Sequence, residues 1–263
     1  MTNILDKIIG YKRSEVVERK TAVPVGVLET RAGFAREPLS LWTFLTDPRR
    51  TGIIAEFKRR SPSKGVINDR STVEDVTRGY TAAGASCLSV LTDGPSFGGS
   101  KEDLEAARVN AVPILRKDFI VDEYQIVEAR AMGADVILLI AACLSPAEVC
   151  RLAKFARSLG LEVLLEIHGE DELGHVCGAT PIVGVNNRDL KTFTVDIERS
   201  IRLIGRIPKD KLVVAESGID RVETIWRMQD AGFQGFLIGE RFMKEQDPAN
   251  AFAAFIQQLK MRG

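Results

Sequence analysis

The sequence predicts an α/β fold of the (β/α)8 TIM-barrel class with a helical extension ahead of the first strand. Three observations carry this expectation: eight short apolar runs, amphipathic helical stretches between them, and a length of 263 residues, close to the roughly 250 that such barrels use. In order, the runs are IIAEF (53–57), CLSVL (87–91), VPIL (112–115), DVILLI (135–140), EVLLEI (162–167), IVGVN (182–186), LVVAES (212–217) and GFLIG (235–239). They are continuously apolar rather than alternating, the pattern of parallel strands buried on both faces. Helices are expected over 71–84, 101–110, 122–133, 145–160 and 219–232. In SPAEV, Ser145 stands as N-cap, Pro146 opens the first turn and Glu148 lies three beyond the cap. Gly84, Gly133, Gly160 and Gly232 occupy C-cap positions. The competing architecture is a doubly wound open sheet, which would need a GxGxxG turn after an early strand, and the chain has none. Residues 1–50 read as helical, with Leu5, Ile8 and Ile9 on one face and Leu39, Leu41, Trp42 and Leu45 further on. That extension is too short to be a domain by itself, so residues 1–263 are expected to form a single barrel domain.

Composition narrows the class of partner. Thirty-six basic and thirty-six acidic residues cancel, which leaves no global field to favour nucleic acid or an anionic membrane. The KRR run at 58–60 is too short for a nucleic-acid patch. The longest apolar run, 136–144, is about half of what a membrane-spanning helix requires, and the N-terminus has no signal-peptide core. A cytoplasmic protein, monomeric or weakly dimeric, is the expectation, with no second enzyme fused after the last helix. The four cysteines have no C-x-x-C spacing and are read as reduced core or helix thiols. His168 and His175, in HGEDELGH, fit no metal-ligand spacing and are expected on a surface helix.

In this fold the C-terminal ends of the strands carry the chemistry. Those ends hold Glu56 and Lys58; Arg116, Lys117 and Asp118; Glu166; Asn186, Asn187 and Arg188; Glu216 and Ser217; and Gly239. Any one of them could be a rim ion pair. Glu56, Lys58, Lys117, Glu166, Asn186, Arg188 and Glu216 together are expected at one mouth, because buried charges are costly and are kept where they act. ESGI (216–219) and IGER (238–241) each set a glycine between a strand and a helix. Backbone N–H groups there can face an anion, as at the phosphate sites that barrels build after strands 7 and 8.

The motifs EFKRRSPSKG (56–65), SVLTDGPSFGGS (89–100), LRKDFIVDEYQI (115–126), LLEIH (164–168), GVNNRDL (184–190), VAESGI (214–219) and LIGERFM (237–243) resemble those of the indole-3-glycerol phosphate synthase family, in family order from Gly52 onward. The resemblance implies closure of an indole pyrrole ring, in which 1-(2-carboxyphenylamino)-1-deoxyribulose 5-phosphate loses CO2 and water. It implies a small sugar-phosphate substrate and neither metal nor organic cofactor. By position, Lys117 matches the general acid, and Glu166 and Lys58 match the base and acid of the dehydration. Which lysine donates at which step is left open. Glu56, two positions from Lys58 on one strand face, can orient that ammonium and keep it charged. Asn186 and Glu216 match positions that contact substrate hydroxyls and hold the lysines, and Arg188 suits the anthranilate carboxylate. Phe97, Phe119, Leu138 and Leu190 are expected to wall the aromatic ring. Ser61, Ser217, Gly218, Gly239 and the peptide of Glu240 are expected around the phosphate, with the Glu240 side chain turned to solvent. The alternatives are another sugar-phosphate barrel, such as an isomerase of the same pathway using a Cys and Asp pair, and a non-catalytic barrel that senses or scaffolds.

Overall fold

The computed structural model describes residues 4–189 and 192–262. Eight parallel strands close into a barrel: β1 (Ile53–Phe57), β2 (Cys87–Leu91), β3 (Ile114–Lys117), β4 (Val136–Ile140), β5 (Glu162–Ile167), β6 (Ile182–Asn186), β7 (Leu212–Glu216) and β8 (Gly235–Ile238). Each pairs with its sequence neighbours, and β8 closes on β1 with Ile53 opposite Phe236 and Ala55 opposite Ile238. Seven of the expected runs coincide with these strands to within a residue at either end. The third is displaced: expected over 112–115, it spans Ile114–Lys117. Pro113 has no N–H to enter the ladder and supplies only its carbonyl, to Leu88 N at 2.9 Å. The shift makes Lys117 the last residue of the strand itself and fixes it more firmly than a loop would.

The five expected helices form, each shorter by a residue or more at both or one of its ends, as Val73–Ala82, Lys101–Ala107, Glu123–Ala131, Pro146–Ser158 and Val222–Ala231. Ser145 and Glu148 make the reciprocal capping box, and Gly84, Gly133, Gly160 and Gly232 all take positive φ. The cysteines are free. Side chains from alternate positions fill the cylinder, among them Ile54, Leu115, Val136, Leu164, Ile182, Leu212 and Val214.

The N-terminal segment runs along the barrel from one end to the other. Helix α1 (Ile4–Ala22) crosses the C-terminal mouth, where Ile8 packs with Phe119, Leu138 and Ile140. Further along, Val16 and Leu28 pack with Tyr124, Val127 and Ala131 of the helix after β3. A short helix, Leu41–Thr46, reaches the opposite end. There Leu41 and Leu45 join the barrel interior, Ser40 and Trp42 N donate to Glu162 at the start of β5, and Asp135 gathers Arg36, Arg108, Leu39 N and Ile114 N.

Candidate active site

The mouth of the barrel opens into a cavity of about 380 Å3, within the size range of small-molecule sites. Its lining includes Glu56, Lys58, Lys117, Glu166, Asn186, Arg188 and Glu216, so the strand ends converge as expected. Arg116 and Asn187 do not join them. Each is odd in the strand alternation and points outward: Arg116 is buried against Thr92, Asp118, Glu128 and the carbonyl of Gln125, and Asn187 donates to Ser217 O at 2.7 Å.

Two lysines, in three ion pairs, occupy the floor. Lys58 Nζ lies 2.6 Å from Glu56 Oε1. Lys117 Nζ lies 3.3 Å from Glu166 Oε2 and 3.6 Å from Glu216 Oε2, and Asn186 Nδ2 donates to the other oxygen of Glu166 at 3.0 Å. Two glycines make room for these carboxylates. A Cβ on Gly184 would stand 2.1 Å from Glu216 Oε1, and one on Gly239 would stand 2.4 Å from Glu56 Oε1. Gly239 has negative φ, so the close approach of Glu56, rather than the turn, excludes a side chain there.

His168 is the neighbour of the cavity floor that sequence reasoning missed. It follows β5 and is largely buried, with Nε2 3.2 Å from Glu166 Oε1 and Nδ1 3.3 Å from Glu172 Oε2. The surface-helix expectation fails for His168; His175 does end a short 3-10 helix (Glu170–His175) with no buried residue, its ring against the carbonyls of Leu144 and Glu172 at 2.9 and 3.0 Å. The signal was spacing. Glu166 and His168 are two apart on one strand face, as are Glu56 and Lys58, and Asn186 and Arg188. Among the described residues no group of three or more His, Cys, Asp or Glu could hold a metal ion.

On Lys117, Glu166, His168 and Glu216 burial opposes charge, and the partners decide each outcome. Burial would lower the pKa of Lys117, but Glu166, Glu216 and Glu56 outweigh it and hold the ammonium above its ordinary value. Burial would raise Glu166, but Lys117, His168 and Asn186 hold it well below the carboxylate range. His168 rises to about 10: Glu166 and Glu172 outweigh its desolvation. Glu216 has no cation to itself. Burial, with the charges of Glu166 and Glu56, pushes it up to about 8 against the pull of Lys117, so it carries a proton at neutral pH. A folded-state pKa above the unfolded value of about 4.3 means that the native state binds the extra proton, so this group lowers stability as pH rises from about 4.3 to 8. Glu216→Gln is therefore expected to melt higher than the parent at pH 9, with the gap vanishing near pH 4, as followed by calorimetry.

The two ends of the cavity differ. One is apolar, with Phe97 and Phe119 at 6.1 Å between ring centroids, backed by Leu138, Ile140, Leu5 and Ile8. Leu190 lies outside the described residues. The other end carries Ser61, Ser217, Gly218, Gly239 and Glu240. Ser217 and Gly218 are both left-handed, at φ 67 and 70. For serine that conformation is uncommon and stores about 1 kcal/mol or more, as functional turns do. Glu240 departs from expectation. Its carboxylate turns along the rim, 3.6 Å from Arg188 Nη2 and 3.7 Å from Lys64 Nζ.

The sequence model of the indole-3-glycerol phosphate synthase family matches residues 5–255, from the helix across the mouth to the last helix. The chain belongs to the indole-3-glycerol phosphate synthase family. An indole-3-glycerol phosphate synthase of Bacteroides thetaiotaomicron is 46% identical over 261 residues, covering 99% of this chain and 100% of the relative. One from Polaromonas sp. is 43% identical over 258 residues, covering 96% and 98%. Among solved structures, a chain of the tryptophan synthase complex from Pyrococcus furiosus superposes with a TM-score of 0.59 at 14% identity, over 79% of this chain and 97% of that one. Tryptophan synthase subunit alpha from Legionella pneumophila superposes with a TM-score of 0.62 at 12% identity, over 84% and 96%. At such identities the two structures speak for the barrel alone, while the family's chemistry rests on the full-length sequence matches.

Proposed function

We propose that the chain is an indole-3-glycerol phosphate synthase, a carboxy-lyase that converts 1-(2-carboxyphenylamino)-1-deoxyribulose 5-phosphate into indole-3-glycerol phosphate, CO2 and water. The observation that carries this reading is the Lys117 ammonium, set between Glu166 and Glu216 on the floor of a cavity with an aromatic wall at one end and glycine turns at the other. The anthranilate ring packs on Phe97, Phe119 and Leu138, and its carboxylate meets Arg188. The phosphate lies toward Ser61, Ser217, Gly218, Gly239 and the peptide of Glu240.

Ring closure needs an aromatic carbon to attack the ketone. Charge develops on the ketone oxygen, and Lys117 donates its proton there. The new carbon–carbon bond leaves an iminium, which accepts the electron pair released as CO2 departs. Loss of water then needs one proton removed from the ring carbon and one delivered to the leaving hydroxyl. Glu166 takes the first, and Lys58, held by Glu56, delivers the second. Asn186 keeps the Glu166 carboxylate turned to its task, and protonated Glu216 can donate to a substrate hydroxyl. The reading carries with it a cytoplasmic enzyme, monomeric or weakly dimeric, acting on a dissolved sugar phosphate. No described helix is long and apolar enough to cross a membrane.

Mixing purified protein with the anthranilate deoxyribulose phosphate should generate indole fluorescence with stoichiometric CO2. Substrate that binds without product would leave a barrel that only senses or scaffolds. Arg188 makes loose resting contacts, 3.6 Å to Glu240 and 3.5 Å to Phe193 O, so it is free to exchange them for a ligand carboxylate. Arg188→Ala should raise KM about tenfold, a loss of about 1.4 kcal/mol in binding, with kcat nearly kept. A substrate analogue lacking the carboxylate should bind parent and variant alike. Equal losses for both ligands would assign Arg188 to the rim pair with Glu240 instead.

A further inference from the structure

Lys12 is fully buried although it belongs to a helix on the outside of the barrel. Its Nζ lies 2.9 Å from Glu15 Oε2, 2.9 Å from Asp93 Oδ1 and 3.0 Å from Asp118 Oδ1. Asp93 follows β2 and also accepts from Tyr11 Oη at 2.7 Å. Asp118 follows Lys117 directly, and is held from its other side by Thr92 and Arg116. Burial alone would lower the pKa of Lys12, but Asp118 and Asp93 hold it above the usual lysine value, so the ammonium stays charged.

The buried residues of α1 are Ile8, Lys12 and Val16, one turn apart on a single face, and Leu5 precedes them by a turn. Ile8 and Leu5 line the cavity. An apolar residue between Ile8 and Val16 would bury as much surface without the desolvation cost of a charge, and such replacements are often neutral or stabilising. What an apolar residue would not do is choose one rotation and one axial position of the helix, whereas an ammonium facing carboxylates from two strand ends has a single seat.

We propose that Lys12 is a positioning residue for the reaction: it pins α1 to the ends of β2 and β3 and so holds Leu5 and Ile8 as part of the wall on which the aromatic ring of the substrate packs. This rests on the function proposed above for the cavity. Lys12 touches no reacting atom and works through Ile8.

The test is Lys12→Met, alone and combined with Ile8→Ala, read by steady-state kinetics and by amide hydrogen exchange of the free protein. Lys12→Met should raise KM about tenfold or more with kcat kept within about threefold. In the Ile8→Ala background the same change should raise KM by no more than about threefold, because the wall it supports is already gone. In the free protein, amides of α1 should exchange at least tenfold faster while those of the barrel strands are unchanged. KM effects that multiply independently, or exchange that accelerates equally in α1 and in the strands, would overturn the proposal and leave Lys12 as a general stabiliser. Parent protein that does not turn over the substrate would sink the assigned reaction, and the exchange pattern would still decide the pin. Should Lys12→Met fail to fold, Lys12→Met with Asp93→Asn is measured in the same way. That pair leaves no unpaired carboxylate, since Asp118 keeps Arg116 and Thr92 and Glu15 keeps Arg19.

Discussion

Lys117→Ala is expected to lower kcat about 10²-fold or more while KM moves only a few-fold, the range that a positioned general acid supplies. The ammonium ends β3 rather than a loop, and the carboxylates of Glu166 and Glu216 stand 3.3 and 3.6 Å away. Its removal therefore takes away both a proton donor and the cation that the two buried carboxylates share. Lys117→Arg separates the two contributions of the side chain. A guanidinium retains the charge but does not give up its proton, so it should restore stability and ligand binding without restoring turnover. Single-turnover kinetics and a thermal melt on both variants make the comparison. A near-normal kcat in either variant would remove Lys117 from the role of acid.

Glu166→Gln should cost a similar factor in kcat, about 10²-fold or more, with substrate affinity roughly kept. The amide fills the same volume and can still accept from Asn186, yet it has no basicity. In the free protein Glu166 is a poor base, because Lys117 and His168 hold its pKa well below the ordinary range against the effect of burial. In the proposed mechanism, delivery of the Lys117 proton to the substrate would remove that charge from beside the carboxylate, and the basicity of Glu166 would recover for the dehydration that follows. On the proposed mechanism, acid step and base step are coupled through the one contact of 3.3 Å between Lys117 and Glu166. The intermediate that accumulates in Glu166→Gln should accordingly be decarboxylated but not dehydrated: CO2 is released in the first turnover and indole fluorescence is not. A variant whose main change is a raised KM would make Glu166 a binding residue.

The parts legible in the sequence were those set by local pattern. Continuous apolar runs marked parallel strands, and pairs of polar residues two apart at their ends marked side chains sharing a face. The third run was misplaced because Pro113 looked like strand by its neighbours, although it has no proton for the ladder. Other features depended on partners far along the chain. Lys12 reads as an ordinary surface lysine until Asp93 and Asp118 are brought to it. His168 was set aside as a failed metal ligand, when its informative relation was to Glu166 two residues back. Gly239 was read as a phosphate glycine, and nothing nearby in the sequence says that Glu56 from the first strand presses against it. Glu240 was expected to face solvent because a carboxylate repels a phosphate dianion, and nothing nearby in the sequence brings Arg188 and Lys64 to it.

The N-terminal strap has a consequence for the order in which the chain is assembled. Leu45 packs against Gly235, the first residue of the eighth strand, so its seat at the base does not exist until all eight strands have been made. Contacts of such sequence separation form slowly, since closing long loops must precede any gain from them. During synthesis Leu45 leaves the ribosome ahead of all eight strands and stays uncovered at this face until the eighth has followed. Its seating reports a finished cylinder, and an enzyme whose base is plugged has already joined its first strand to its eighth.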